Sequence, residues 1–179
     1  MCRILTADPV KCLFSQKSRQ SLSFSKTEPC LAYDSVRQFV YLIGGLSDCS
    51  VSRHNLSTDT WEHGHSKLNE PRWFASACYL NDAIYVVGGY NTMGSIEKLD
   101  CSAAVEEDQP VWLTLEVPSM VLTPLQRPVV AVLNKYEIVV TGGYGFDYKL
   151  KSDIAILNTR NDRVRKVTKG HHSLQCYGS

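Results

Sequence analysis

The chain has 179 residues, 44% of them apolar and 21% charged, with 19 Lys and Arg against 18 Asp and Glu for a formal net charge of +1. That length suits one domain or one row of repeats, with a core that buries roughly 70% of the unfolded surface, and the composition excludes collagen-like, coiled-coil and wholly disordered chains. The charge balance gives no support to a nucleic-acid partner, and no run approaches the roughly 20 apolar residues that a membrane helix needs.

Residues 1–28 come first as a basic, serine-rich segment, with Arg3, Lys11, Lys17, Arg19 and Lys26 against Asp8 and Glu28. Asp8, Pro9 and Lys11 break up any secretory leader, so a cytoplasmic location is expected. Ser, Gln and Lys offer little surface to bury, which favours disorder or loose packing. The alternation Leu22, Ser23, Phe24 leaves open an outer strand of a preceding unit. Seven dispersed cysteines, Cys2, Cys12, Cys30, Cys49, Cys78, Cys101 and Cys176, form no CxxC or CxH pattern and read as buried thiols of a reducing compartment. The sequon Asn55-Leu56-Ser57 matters only in a secreted chain.

From residue 29 a segment recurs: Phe39-Val-Tyr-Leu-Ile-Gly-Gly45, Ala83-Ile-Tyr-Val-Val-Gly-Gly89 and Glu137-Ile-Val-Val-Thr-Gly-Gly143, the glycine pairs being spaced 44 and 54 residues apart. Such periods mark supersecondary units too small to bury their apolar faces alone. Each run is rich in Ile, Val and Tyr, the composition of a buried strand, and no GxGxxG or Gly-Lys-Ser/Thr pattern supports phosphate binding. An apolar segment and a polar turn precede each run: Cys30 to Tyr33 before Asp34 to Gln38, Ala75 to Leu80 before Asn81-Asp82, and Val129 to Leu133 before Asn134-Lys135. These read as hairpins. Third strands follow at Val51 to Leu56, Ser95 to Leu99 and Ile154 to Leu157, and fourth strands at Thr60 to Glu62, Val111 to Leu115 and Val164 to Val167. The fold class is all-β, with four antiparallel strands repeated three times. Ser102 to Pro110, with Glu106, Glu107 and Asp108, reads as a wet surface excursion.

The combination resembles the kelch-repeat family. It is carried by Gly44-Gly45, His54 and Trp61, by Gly88-Gly89, Leu99 and Trp112, and by Gly142-Gly143 with Leu157 and Val164 in the last two places. Pro71-Arg72 resembles the family's link element, matched more loosely by Arg127-Pro128. The likeness covers about residues 29–179 and implies a partial or incomplete β-propeller of four-stranded blades, three complete, with Gly170 to Tyr177 as the start of a fourth. Trp61 and Trp112 are expected to fill gaps between adjacent blades, each indole NH meeting a backbone carbonyl. Val164 fills less, so its interface is expected to be looser.

Catalytic motifs are not found: there is no GxSxG, HExxH or paired-carboxylate pattern. His63 and His65 are spaced to face one way on a strand, and His171 and His172 are neighbours, but neither pair has a third ligand in sequence. No metal, cofactor or catalytic residue is assigned. Some kelch-like propellers are copper oxidases, an alternative that Cys49, Cys78 and Tyr90 keep open without a local match. Recognition of a protein partner by blade-end loops is the expected role. The candidate residues are Tyr144, Phe146, Asp147, Tyr148 and Lys149 of the longest loop, with Tyr90, Asn91 and Arg72; Tyr90 and Tyr144 also have a packing alternative. Arg72 either orients a loop through carbonyls or pairs with an acidic partner. Kelch propellers generally recruit proteins, and the BTB-like helical portion of ligase adaptors is absent from this sequence. The other open reading is a fragment that assembles with further blades or a second chain. The basic stretch Arg160, Arg163, Arg165, Lys166 and Lys169 reads as a solvated face, so neither nucleic acid nor membrane is an expected partner.

Overall fold

A computed structural model describes residues 26–90, 92, 94–102, 110–118 and 125–167. Among the described residues, twelve strands form three antiparallel sheets of four, each in simple sequence order. Blade one holds β1 (Cys30–Asp34), β2 (Phe39–Ile43), β3 (Ser50–Asn55) and β4 (Thr60–Lys67). Blade two holds β5 (Ser76–Leu80), β6 (Ala83–Val87), β7 (Ile96–Asp100) and β8 (Trp112–Leu115). Blade three holds β9 (Val129–Asn134), β10 (Glu137–Thr141), β11 (Ile154–Asn158) and β12 (Arg163–Val167). The three-fold repeat of four strands expected from the glycine pairs is therefore the architecture. The Asn91 position, most of the Ser102 to Pro110 excursion, the segment 1–25 and the proposed fourth-blade strand at 170–177 lie outside the described residues.

Burial of the second strand of each blade shows how the sheets stack. All five residues of β6 are buried, so the continuous apolar run Ala83-Ile-Tyr-Val-Val is covered on both faces, each fully buried aliphatic side chain contributing about 1.5–3 kcal/mol. In β2 the buried positions include Tyr41 and Ile43, whereas in β10 they are Ile138 and Val140. These belong to opposite faces of their sheets: one apolar cluster joins Cys30, Ala32, Tyr41, Ile43 and Val51 of blade one to Ile84, Val86, Leu99 and Trp112 of blade two. A second joins Ala83, Tyr85, Val87, Ile96 and Leu115 to Ile138, Val140, Ala155 and Leu157. Blade two is thus the filling between blades one and three.

The two tryptophans of the outer strands part company here. Trp112 pairs with Leu99 across β7 and β8, is 2% exposed, and fills the gap between blades one and two as expected. Its indole Nε1–H donates to the Ser66 hydroxyl of blade one at 3.0 Å, not to a backbone carbonyl. Trp61 pairs with His54 in the same register, but on blade one that face points away from blade two. It is half-buried and lies against His54, ring centroids 4.9 Å apart. Among the described residues it therefore does not enter the gap between blades one and two, and stands at the place corresponding to Trp112 on the far face of blade one. Val164 takes the Trp112 position in blade three, opposite Leu157, and is only partly buried against the second cluster.

One end of the blades is joined by polar contacts. Arg37 of the β1–β2 turn bridges Asp34 at 3.1 Å and, in blade two, Asp82 at 3.0 Å and Tyr79 at 3.3 Å. Lys98 on β7 reaches Asp162 of blade three at 2.8 Å.

Candidate functional site

At the opposite end of the blades, the loop after each glycine pair is tied to the link that enters a blade. Leu46, Tyr90 and Tyr144, each just past a glycine pair, donate their amides to Thr27 O at 2.9 Å, Trp73 O at 2.9 Å and Gln126 O at 2.8 Å. The amides of Gly45 and Gly89 donate across the blade interfaces to Arg72 O at 3.3 Å and Leu125 O at 2.9 Å. This packing requires glycine: a Cβ on Gly88 (φ +69°) would sit 2.5 Å from Leu125 O, and one on Gly143 (φ +85°) 2.5 Å from Gln126 O. The bonds align the links residue by residue, Lys26 with Arg72 and Leu125, and Glu28 with Phe74 and Arg127. All three of the latter have left-handed φ, 54°, 60° and 53°.

The Lys26, Arg72 and Leu125 position anchors the loops. Arg72 is fully buried; its guanidinium donates to Glu97 at 2.7 Å, Gly88 O at 2.8 Å, Ser95 O at 3.2 Å and the Ser95 hydroxyl at 2.6 Å. Of its two sequence alternatives, this geometry is the carbonyl-bound loop anchor, with no surface left for an acidic partner. Lys26 repeats the device in blade one, donating to Gly44 O at 3.2 Å, Ser50 O at 2.7 Å and Asp48 at 2.6 Å. Burial pushes the Asp48 carboxyl up, but hydrogen bonds from Lys26 and Ser50 overcome this and hold it below its usual range. In blade three the place is taken by Leu125, 3% exposed and part of the apolar cluster. The looser match to Arg127-Pro128 is therefore corrected: the residue equivalent to Arg72 is Leu125, two positions earlier. Arg127 instead lies over the Phe74 ring at 4.2 Å and pairs with Glu28 at 3.4 Å.

Above this anchored layer lies an aromatic surface. Trp73, immediately after Arg72, stacks on Tyr90 at 4.6 Å with the planes inclined by 24°. The Tyr148 hydroxyl of blade three, facing Tyr90, pushes the Tyr90 phenol above its ordinary value. The loop carrying Tyr148 is a small hairpin. Tyr144 and Leu150 form an antiparallel bridge, and the amides of Gly145, Tyr148 and Lys151 donate to Lys149 O at 3.0 Å, Gly145 O at 2.9 Å and Gly143 O at 2.9 Å. Asp147 ties the tip by pairing with Lys151 at 3.0 Å, and hydrogen bonds from Lys151 and the Lys149 amide hold its carboxyl below the usual range. Tyr148 sits at the turn with φ +54° and is 70% exposed. Tyr144, Phe146, Leu150 and Leu46 are exposed on the same end of the blades.

The structure thus brings Tyr90, Tyr144, Phe146, Asp147, Tyr148 and Lys149 to one surface and removes Arg72 from it. Trp73, Lys26 and Leu125 were not singled out from sequence; only the offset of Trp73 from the Pro71-Arg72 pair marked it. His63 and His65 do not face one way: His63 stacks on Trp61, while His65 is buried against Tyr41 at 5.8 Å and meets Glu62 at 3.1 Å. Left-handed Gly64 (φ +65°) between them and the irregular β3–β4 register turn the strand. Among the described residues no group of three His, Cys, Asp or Glu side chains is placed to hold a metal, and no helix is long and apolar enough to cross a membrane.

Four-stranded antiparallel sheets stacked face to face, joined by links that lock onto the preceding glycine loops, are the blades of a β-propeller. Among the described residues three such blades form a partial propeller. The Kelch motif matches residues 71–104, from the anchoring link through the third strand of blade two, and the recurrence of the same four-stranded unit in all three sheets supports assignment to the kelch-repeat β-propellers. No curated protein matches the chain.

Proposed function

We propose that the chain is a protein-binding module and that its partner docks on the surface formed by the loops after the glycine pairs, centred on Trp73, Tyr90 and Tyr148. The observation that carries this reading is the aromatic cluster at one end of the blades, a half-buried Trp73–Tyr90 stack beside exposed Tyr148, held from below by buried hydrogen bonds. Large rings immobilised beforehand bury area at low entropic cost, which is why Tyr and Trp dominate binding hot spots. Lys149 and the Asp147–Lys151 pair supply a charged rim, and Tyr144, Phe146 and Leu46 extend the apolar area. In this reading the chain binds rather than catalyses. We place the role in the cytoplasm, a setting supported by free cysteines that serve as packing groups: burial pushes the Cys30 and Cys78 thiols up to about 12.

The test is a titration of a purified partner, first captured with the whole chain, against Tyr148→Ala. Loss of the ring is expected to cost about 1–3 kcal/mol, roughly a ten- to hundredfold drop in affinity, with folding preserved. Unchanged affinity of the folded variant removes Tyr148 from the site.

A further inference from the structure

At the end of the blades opposite the aromatic surface, blade three carries cations with no counter-charge. In blades one and two, cations of this end are matched: Arg37 meets Asp34 and Asp82, and Lys98 meets Asp162. Blade three departs from this. Its β9–β10 turn brings Lys135, and its β11–β12 turn brings Arg160, to the ring of Tyr136, with Arg160 Cζ 3.9 Å and Lys135 Nζ 5.3 Å from the centroid. Among the described residues neither cation makes an ion pair, nor does Arg163 at the start of β12, and all three are exposed. The neighbouring carboxylates are engaged elsewhere, Asp162 by Lys98, Glu137 by Arg165 and Asp153 by Lys166.

The backbone that presents these cations is tied down. Thr159, just before Arg160, donates its amide to Tyr136 O at 2.9 Å and its hydroxyl to the same carbonyl at 3.1 Å. Asn81 of blade two donates to Lys135 O at 2.9 Å and to the Thr159 hydroxyl at 3.0 Å, and Asn134 Oδ1 accepts from the Tyr136 amide at 2.9 Å. Stacking uses the face of the Arg160 guanidinium, so its in-plane N–H groups stay free to fork onto a carboxylate. Two like charges against one ring repel each other, and an anion placed beside both offsets that repulsion with two attractions.

We propose that this pair of turns is a second docking site and that it takes an acidic segment of a protein partner, a run of Asp or Glu side chains, with Arg160 gripping one carboxylate and Lys135 and Arg163 completing the positive field. A nucleic acid fits less well. Three cations are few beside the roughly six to ten phosphate contacts of a typical duplex binder, and the Tyr136 ring is occupied by the protein's own cations rather than offered to a base. The site lies at the far end of the blades from Trp73 and Tyr148, so it stands independently of the aromatic surface.

The test is fluorescence polarisation of a labelled hexaglutamate peptide with the whole chain at low ionic strength. Binding is expected, and it is expected to fade as salt is added. Lys135→Glu combined with Arg160→Glu is expected to lower the affinity at least about tenfold. Lys67→Glu reverses another exposed lysine without an ion pair, on β4, and is expected to leave the affinity unchanged. Arg160→Gln removes one charge while keeping a polar stem; it guards against a folding defect in the double variant and is expected to weaken binding several-fold with parent-like circular dichroism. No binding by the parent, unchanged affinity in folded Arg160→Gln, an equal loss in Lys67→Glu, or tighter binding of a single-stranded oligonucleotide of the same charge overturns the proposal.

Discussion

Arg72 and Leu125 occupy the same place in consecutive links, each offering its carbonyl to a glycine amide of the preceding blade, yet one is ion-paired to Glu97 and the other set in an apolar core. The exchange is matched across the sheet: Glu97 lies opposite Val86, and the corresponding residue opposite Val140 is Ala155. Blade two uses a buried Arg–Glu pair where blade three uses Leu and Ala.

A double-mutant cycle follows from this match. Arg72→Leu alone strands the Glu97 carboxylate in a buried site and is expected to destabilise the protein by about 3–5 kcal/mol in urea unfolding. Arg72→Leu combined with Glu97→Ala copies the third blade and is expected to be less destabilised than Arg72→Leu alone. The double variant should still fall short of the parent, because Gly88 O and Ser95 O lose their donor. Strictly additive losses would show that the pair is not coupled.

The outer strands should differ in amide protection. Trp112 seals β8 against blade one, while Val164 leaves β12 only partly covered. Native-state hydrogen exchange is expected to be slower in β8 than in β12. Equal protection of the two strands would contradict the idea that the indole tightens its interface.

Stability should also fall on mild acidification. Burial and the neighbouring Arg53 hold the His65 imidazole below its ordinary value of 6.5, against the opposing pull of Glu62. As pH falls through that value, the unfolded chain takes up a proton that folded His65 accepts only at lower pH, so the folded state loses stability across that window. Urea midpoints at pH 7.5 and 5.5 are expected to show the loss, and His65→Gln is expected to flatten it. An unchanged pH dependence in that variant would assign the effect elsewhere.

The blades were legible in the sequence because their signals are local. Three glycine pairs closing Ile-, Val- and Tyr-rich runs mark β2, β6 and β10, and the polar turns before them mark the hairpins. The links were harder. Lys26, Arg72 and Leu125 share a position but no side-chain chemistry, and their alignment lies in backbone hydrogen bonds. Glu28, Phe74 and Arg127 all adopt left-handed φ without the Gly or Asn that would announce it. Trp61 and Trp112 look alike in their strands, and what separates them is that Trp112 meets blade one while Trp61 faces away from blade two, which no local pattern carries. The aromatic surface was half visible: Tyr148 stood out in a long loop, but Trp73, which stacks on Tyr90, sits in a link with no periodicity to single it out.

The binding surface is most directly tested by replacing the hairpin 144–150 with a short Gly-Ser turn, alongside Trp73→Ala, and titrating both folded variants with the purified partner. The account predicts at least a tenfold loss of affinity for Trp73→Ala and a larger loss for the hairpin replacement, with β-sheet content and thermal unfolding of the blades retained. Parent-like affinity in both variants would place the partner elsewhere on the molecule and contradict the proposed role of this surface.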